Sequence, residues 1–347
     1  MRRVGYHHNM WHITGPIVAS DFHTAGEPFR IISEGVPELA GNTVAERRVH
    51  ASNSVEMEHL RRLLCHEPRG HADMYGGFIV PPDDDGADFG VLFWHKDGYS
   101  TACGHGTIAL GVWAVQTGQV TGPSDGVTTV TIDVPSGRVT ARVHSTAGTI
   151  THVDFENVAS HAITRDLHLD TTRGKVSVDL SFSGAIYASV EAASVGLRVR
   201  PEDYTELIAI GREIKWALNE SPFARHPNDG RLSGVYGTIL FDHLGDTAKG
   251  DVHQRNVTVF ADGEVDRSPC GSGTGARLAL LADSGRLTET QTLIHDSIID
   301  TRFLGHYRAG STSGTIIPTV EGMAYATGTH SFTLDQTDPV GTGFVLR

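Results

Sequence analysis

The chain has 347 residues, 39% of them hydrophobic and 20% charged, with 40 glycines and a formal net charge of −13. That length and apolar content suit two packed domains with many turns and short strands. The negative charge argues against nucleic acid or an anionic membrane surface as partner. Three cysteines are too few for a disulfide framework, so reduced thiols in a reducing, cytoplasmic setting are the expectation. No apolar run of 18 residues is present to span a membrane, and Arg2 and Arg3 are not followed by the apolar stretch of a secretory signal.

In chain order, residues 1–16 form a polar lead with His7, His8 and His12, read as a loose extension rather than a metal site. Ile17 to Phe22 reads as a first strand. The polar loop His23-Thr24-Ala25-Gly26-Glu27-Pro28 leads to a second strand, Phe29 to Ile32. Thr43-Val44-Ala45-Glu46 is a capping box and starts a helix towards Cys65, with a break near Asn53-Ser54 and an end at Pro68. His66 and His71 are five apart with Pro68 and Gly70 between them. They cannot share a helical face as zinc-protease histidines do. Cys65 reads as a small core residue. Phe78 to Val80 is a strand, and Pro81 to Gly86 an acidic surface turn.

The chain then writes one stretch twice. Ser100-Thr101-Ala102-Cys103-Gly104-His105-Gly106-Thr107 follows the apolar run Val91 to Trp94 and the turn Asp97-Gly98. Ser268-Pro269-Cys270-Gly271-Ser272-Gly273-Thr274 follows Val257 to Phe260 and Asp262-Gly263. Each cysteine opens an Ala/Leu-rich segment that stops at a glycine 15 residues on, Gly118 or Gly285. Both copies therefore predict strand, turn, cysteine at a helix start, helix and glycine stop. Between them, Val130, Ile132, Val134, Val139 and Val143 alternate as in a hairpin, and the crossover into a second half is expected near residue 150. There, Val176 to Leu180 reads as a strand and Pro201 to Asn219 as an amphipathic helix. Strands around Tyr236 to Phe241 and Asn256 to Phe260 precede the second cysteine, and further strands follow Leu287.

Two thiols at duplicated helix starts suggest a chemistry. A helix N-terminus favours thiolate over the ordinary cysteine pKa of about 8.5, and its free N–H groups hold carboxylates. Two such starts facing one cleft could hold a carboxylate with a sulfur on each side of the adjacent carbon. One thiolate would remove the Cα proton and the other thiol would protonate the opposite face, with backbone dipoles stabilising the developing negative charge. Three other readings compete. The glycines resemble a dinucleotide-binding pattern, but the acidic residue about 20 positions on is missing. A Cys103–Cys270 redox pair lacks a Cys-x-x-Cys motif. A duplicated binding module would need no thiol at both places.

Asp266-Arg267-Ser268-Pro269-Cys270-Gly271-Ser272-Gly273-Thr274 and Cys103-Gly104-His105-Gly106-Thr107 resemble the paired active-site segments of the proline racemase superfamily. His23 to Pro28 and Glu67 to His71 are similar to further segments of it, so the resemblance runs from about Ile17 to the C-terminus. It implies an α+β fold like that of diaminopimelate epimerase: two similar domains, each a β-barrel-like sheet around a central helix. The expected division is an extension 1–16, a first domain 17–150 completed by 335–347, and a second domain 151–334. The resemblance implies no cofactor and no metal, a proline or hydroxyproline substrate, and a chain compatible with a homodimer. It makes Cys103 and Cys270 the acid/base pair. Gly104, His105, Gly271 and Ser272 would line the carboxylate and ring, and Asp266 would face the ring nitrogen. Cysteine at both positions resembles racemases and 4-hydroxyproline 2-epimerases, which implies conversion of trans-4-hydroxy-L-proline to cis-4-hydroxy-D-proline. Met74 to Gly77, His95 to Ser100 and Thr327 to Phe332 read more like trans-3-hydroxy-L-proline dehydratases, which commonly have threonine at the second position. Dehydration to Δ1-pyrroline-2-carboxylate is thus the alternative activity.

Overall fold

The computed structural model describes residues 15–346, so the histidines of the N-terminal lead lie outside the described residues. The fold is built around two helices that are rich in small and apolar residues and buried on every side. In α3 (Gly104–Gln116) every residue from Gly104 to Ala114 is buried. In α5 (Gly271–Asp283) the same holds from Gly271 to Leu281. Strands wrap each of them, because only a curved sheet can cover a helix on all faces. Preceding these are α1 (Val44–Asn53) and α2 (Val55–Cys65), and between them α4 (Tyr204–Asn219).

The repeat read from the sequence is a repeat of topology. Strand Phe89–His95 runs through the Asp97-Gly98 turn to Cys103 and α3, and returns as Gly126–Val134, parallel to where it began. Strand Val252–Phe260 runs through Glu264–Asp266 to Cys270 and α5, and returns as Leu293–Ser297, again parallel. Each central helix is therefore the crossover of a parallel pair. Gly118 (φ 73°) and Gly285 (φ 68°) take the left-handed conformation that ends each helix.

Three strand pairings place the halves. Thr149–Glu156 pairs with Gly137–Thr146 on one side and with Ile316–Gly322 on the other. Ala324–Phe332 pairs with Ile17–Thr24 along its whole length. Glu67 bridges to Phe344. We propose on these pairings that the first domain runs to about Asn157 and is completed from Ala324 onwards, rather than dividing at 150 and returning at 335.

Local chemistry explains the remaining helices. Thr43 Oγ1 accepts from Glu46 N–H, while the Glu46 carboxylate takes the Asn42 N–H, one residue earlier than in an ideal capping box. Ser54 ends α1 and caps α2, accepting from Met57 N–H, which is the break expected there. The acidic turn is pinned rather than simply solvated. Asp83 accepts from Val44 N–H, and Arg138 holds Asp84 and Asp133. The segment from Pro201 begins as a 3₁₀ turn, and α4 proper lies against Val235–Asp246 and Val252–Phe260 through Leu207, Ile210, Ile214 and Leu218. Among the described residues no helix is long and apolar enough to cross a membrane.

Candidate active site

The N-termini of α3 and α5 meet head to head. A Cβ added at Gly104 would stand 2.6 Å from Gly271 Cα, and one added at Gly271 would stand 2.6 Å from Gly104 Cα. Only two glycines permit that approach. Both helices thus aim their unpaired N–H groups and positive dipole ends at the same small volume. Facing positive ends repel each other, and an anion between them relieves that repulsion.

Each cysteine is the cap of its helix. Cys103 Sγ accepts from Gly106 N–H at 3.3 Å, and Cys270 Sγ from Gly273 N–H at 3.4 Å. Cys103 is extended, but Cys270 holds φ 62°, a conformation costing a non-glycine residue about 1–3 kcal/mol. A local network enforces it. Ser268 Oγ accepts from Cys270 N–H and donates to Asp266 Oδ1, which also accepts from Ser268 N–H. Asn256 Nδ2 donates to Pro269 O on the same segment. Asp266 is thereby both a wall of the site and the brace of its second thiol.

The two sulfurs line one cavity of about 10 Å³, near the least that holds a single water. Gly104, His105, Asp266 and Ser272 line it with them, whereas Gly271 serves the helix contact and does not reach the cavity. Ser272 Oγ is buried there with no hydrogen-bond partner among the described residues, which leaves a polar atom open to a ligand. His105 places its ring nitrogens 3.6 Å from Cys103 Sγ, with Nδ1 3.7 Å from Asp266 Oδ2. Its burial pushes its pKa down, against the opposing pull of Asp266 and of the Pro28 backbone. The His23 to Pro28 turn steadies this end of α3, because Thr24 Oγ1 donates to His105 O at 2.8 Å. Glu27, fully buried, accepts from Arg267 N–H, and burial holds its carboxyl well above the usual range.

The thiols differ from the sequence expectation in one respect. Burial pushes both well above the ordinary cysteine value. For Cys103 the Gly106 N–H opposes that shift and Asp266 adds to it. For Cys270 Asp266 adds to burial and the Gly273 N–H opposes. The helix ends do favour thiolate, but in a closed cavity the loss of water outweighs them.

Sequence reasoning missed the aromatic side of the cavity: Tyr75, Tyr187, Tyr236 and Phe260. Tyr75 OH hydrogen-bonds both Ser100 Oγ and Tyr236 OH, and its ring stands edge-on to His105. Tyr75 lies inside a segment singled out for its resemblance; the others are single aromatics in apolar strands, which read as core. Cys65 is buried, with Sγ near Met74 O, and burial raises its pKa as expected of a core thiol. Two groups of three metal-competent side chains occur among the described residues, His144/His152/Asp154 and His95/Asp97/Glu264, and neither contributes to the thiol cavity.

Residues 19–345 match the family model described as proline racemase. The chain belongs to the proline racemase family. It is 41% identical over 332 residues to the trans-3-hydroxy-L-proline dehydratase of Bacillus thuringiensis subsp. konkukian, covering 94% of this chain and 97% of that one. It is equally 41% identical over 333 residues to the 3-hydroxyproline 2-epimerase of Burkholderia multivorans, with the same coverage. A crystal structure of a hydroxyproline epimerase from Agrobacterium vitis, with bound trans-4-hydroxy-L-proline, superposes with a TM-score of 0.87 at 28% identity, covering 96% of each chain. The α+β architecture expected from the resemblance is thus the fold of the family.

Proposed function

We propose that this member of the proline racemase family inverts Cα of a hydroxyproline by two-thiol acid–base catalysis. The observation that carries this is the placement of Cys103 and Cys270 as caps of two facing helices on one cavity. The substrate carboxylate sits between the helix N-termini with Ser272 Oγ as a further donor, and Asp266 faces the ring nitrogen. The reacting state holds one thiolate and one thiol. Burial makes the thiolate a strong base once water is shut out, and the ring ammonium supplies the compensating charge. The thiolate takes the Cα proton, the other thiol delivers its own to the opposite face, and the pair ends with its protonation exchanged. None of these steps uses a metal or a redox cofactor. The pathway from trans-4-hydroxy-L-proline to cis-4-hydroxy-D-proline follows directly from this chemistry, and a 3-hydroxyproline is inverted by the same steps.

A second reading rests on the relatives named trans-3-hydroxy-L-proline dehydratase. One thiolate removes the Cα proton and, as the thiol so formed, returns it to the departing 3-hydroxyl on the same ring face, so that water leaves while the side chain at the second position serves only to orient. The resulting enamine tautomerises to Δ1-pyrroline-2-carboxylate.

The test incubates the protein separately with L-proline, trans-4-hydroxy-L-proline and trans-3-hydroxy-L-proline. Optical rotation reports inversion, and a cyclic imine trapped by reduction reports dehydration. Under the leading reading, Cys103→Ser and Cys270→Ser each abolish inversion, by roughly 10²–10⁴-fold. Each keeps Cα deuterium exchange on one enantiomer only. Cys270→Thr removes inversion while any dehydration survives. Rapid dehydration of the 3-hydroxy compound with inversion of none of the three installs the second reading instead.

A further inference from the structure

A second cavity, of about 360 Å³, adjoins the thiol cavity. That volume lies in the range of small-molecule sites, roughly 300–1,000 Å³. The two cavities share Tyr236, and Ser100, which lines the larger one, is hydrogen-bonded to the Tyr75 hydroxyl of the smaller one. The larger cavity spans both halves of the molecule. Arg48 and Asp97 line it from the first, Lys215, Trp216, Asn219 and Asp262 from the second.

Lys215 is 6% exposed, and no hydrogen bond or ion pair among the described residues engages its Nζ, which lies 3.8 Å over the Trp216 ring. A buried ammonium held only by an aromatic face is costly unless an anion completes it. Burial pushes its pKa down, against the opposing pull of the Asp262 and Asp97 carboxylates. One helical turn on, Asn219 accepts from Val235 N–H through Oδ1, which leaves its amide N–H groups for a ligand. Arg48 adds positive charge but spends its guanidinium on Tyr99 O and Arg231 O.

Two carboxylates complete the lining. Asp262 uses Oδ1 for Arg212 and Trp216, and Asp97 uses Oδ2 for Lys96 and Asp262 N–H. Among the described residues, no hydrogen bond engages the other oxygen of either. A dianion such as phosphate would be repelled by these two, and a simple amine by Lys215. A ligand carrying one carboxylate and one cationic nitrogen satisfies both ends.

We propose that this cavity is a second binding site, for a small zwitterionic amino or imino acid. Its carboxylate sits on Lys215 and Asn219, and its nitrogen faces Asp97 and Asp262. Resting on the hydroxyproline reading, the occupant is the substrate class itself, held beside the closed thiol cavity and between the same two halves that must part to admit it.

The test uses the full chain carrying Cys103→Ser and Cys270→Ser, so that turnover does not obscure binding, titrated calorimetrically with trans-4-hydroxy-L-proline and L-proline. Two binding events are expected. Lys215→Met, which keeps side-chain length, and independently Asn219→Asp, which keeps the acceptor for Val235 N–H, should each weaken one event at least tenfold and leave the other unchanged. Acetate and pyrrolidine should both bind the Lys215-dependent site far more weakly than proline. A single event, or two events insensitive to both substitutions, overturns the proposal. Acetate binding there as tightly as proline overturns the zwitterion assignment. If the hydroxyproline chemistry is wrong, the unmodified protein turns over none of the ring compounds while the Lys215-dependent event persists, so the two failures are distinguishable.

Discussion

Replacing Gly104 with alanine puts a methyl group at the point where α3 and α5 meet. Its carbon would stand 2.6 Å from Gly271 Cα and 2.6 Å from Ser272 N. Favourable carbon contacts begin near 3.5 Å, so the helix ends must separate by about 1 Å. Overpacking of this kind costs about 1–3 kcal/mol. Alanine's better helix propensity returns at most about 1 kcal/mol, so the fold survives with a modest loss of stability. Activity suffers more, because both thiols ride on those helix ends and a misplacement of about 1 Å costs on the order of 100-fold in rate. The measurement pairs a thermal melt with turnover by optical rotation. The expected outcome is a small drop in melting temperature and a fall of roughly 100-fold in kcat. Gly271→Ala should match it. The double variant should cost less than the sum, since one opening accommodates both methyl groups. Turnover within about twofold of the unmodified protein, or fully additive losses, would refute the claim that this contact sets the distance between the thiols.

Two more expectations follow from the site. Cys103 and Cys270 hold their protons more tightly in the folded than in the unfolded chain. Their contribution to stability is therefore complete below the unfolded thiol pKa of about 8.5 and is lost as pH rises above it, by up to about 1.4 kcal/mol per pH unit for each. Denaturation midpoints between that pH and the tyrosine range near 10 should fall less steeply when both are replaced by alanine, and equal slopes would contradict their burial. A cavity of about 10 Å³ cannot take a proline ring, so the halves must part for entry. Small-angle scattering should show a larger radius of gyration without ligand than with hydroxyproline bound; identical curves would count against closure.

Much of the site was legible in the sequence because its signals act over a few residues. A cap reaches N–H groups three positions on, a glycine stop acts within one turn, and an Asp-Gly turn reverses a chain locally. Cys103 and Cys270 could thus be placed at helix starts, and the duplication singled them out as a pair. The domain limits were less legible. Strand Ala324–Phe332 is mostly exposed and has no alternating apolar pattern, so nothing local marks its return to Ile17–Thr24. Strand Thr149–Glu156 straddles the expected boundary because its second partner, Ile316–Gly322, lies far along the chain.

What the sequence by itself determined is the pair of thiol-capped helices and the family they mark, since both are written in short, contiguous stretches. Only the tertiary structure decided that the helix ends touch through Gly104 and Gly271, that Tyr75, Tyr187, Tyr236 and Phe260 close the cavity, and that Lys215 is buried in the neighbouring cavity with its ammonium over the Trp216 ring. The direction of the thiol pKa belongs to that second group. A helix dipole can be read from a few residues, but desolvation depends on every segment that excludes water from the sulfur, and those segments come from both halves of the chain.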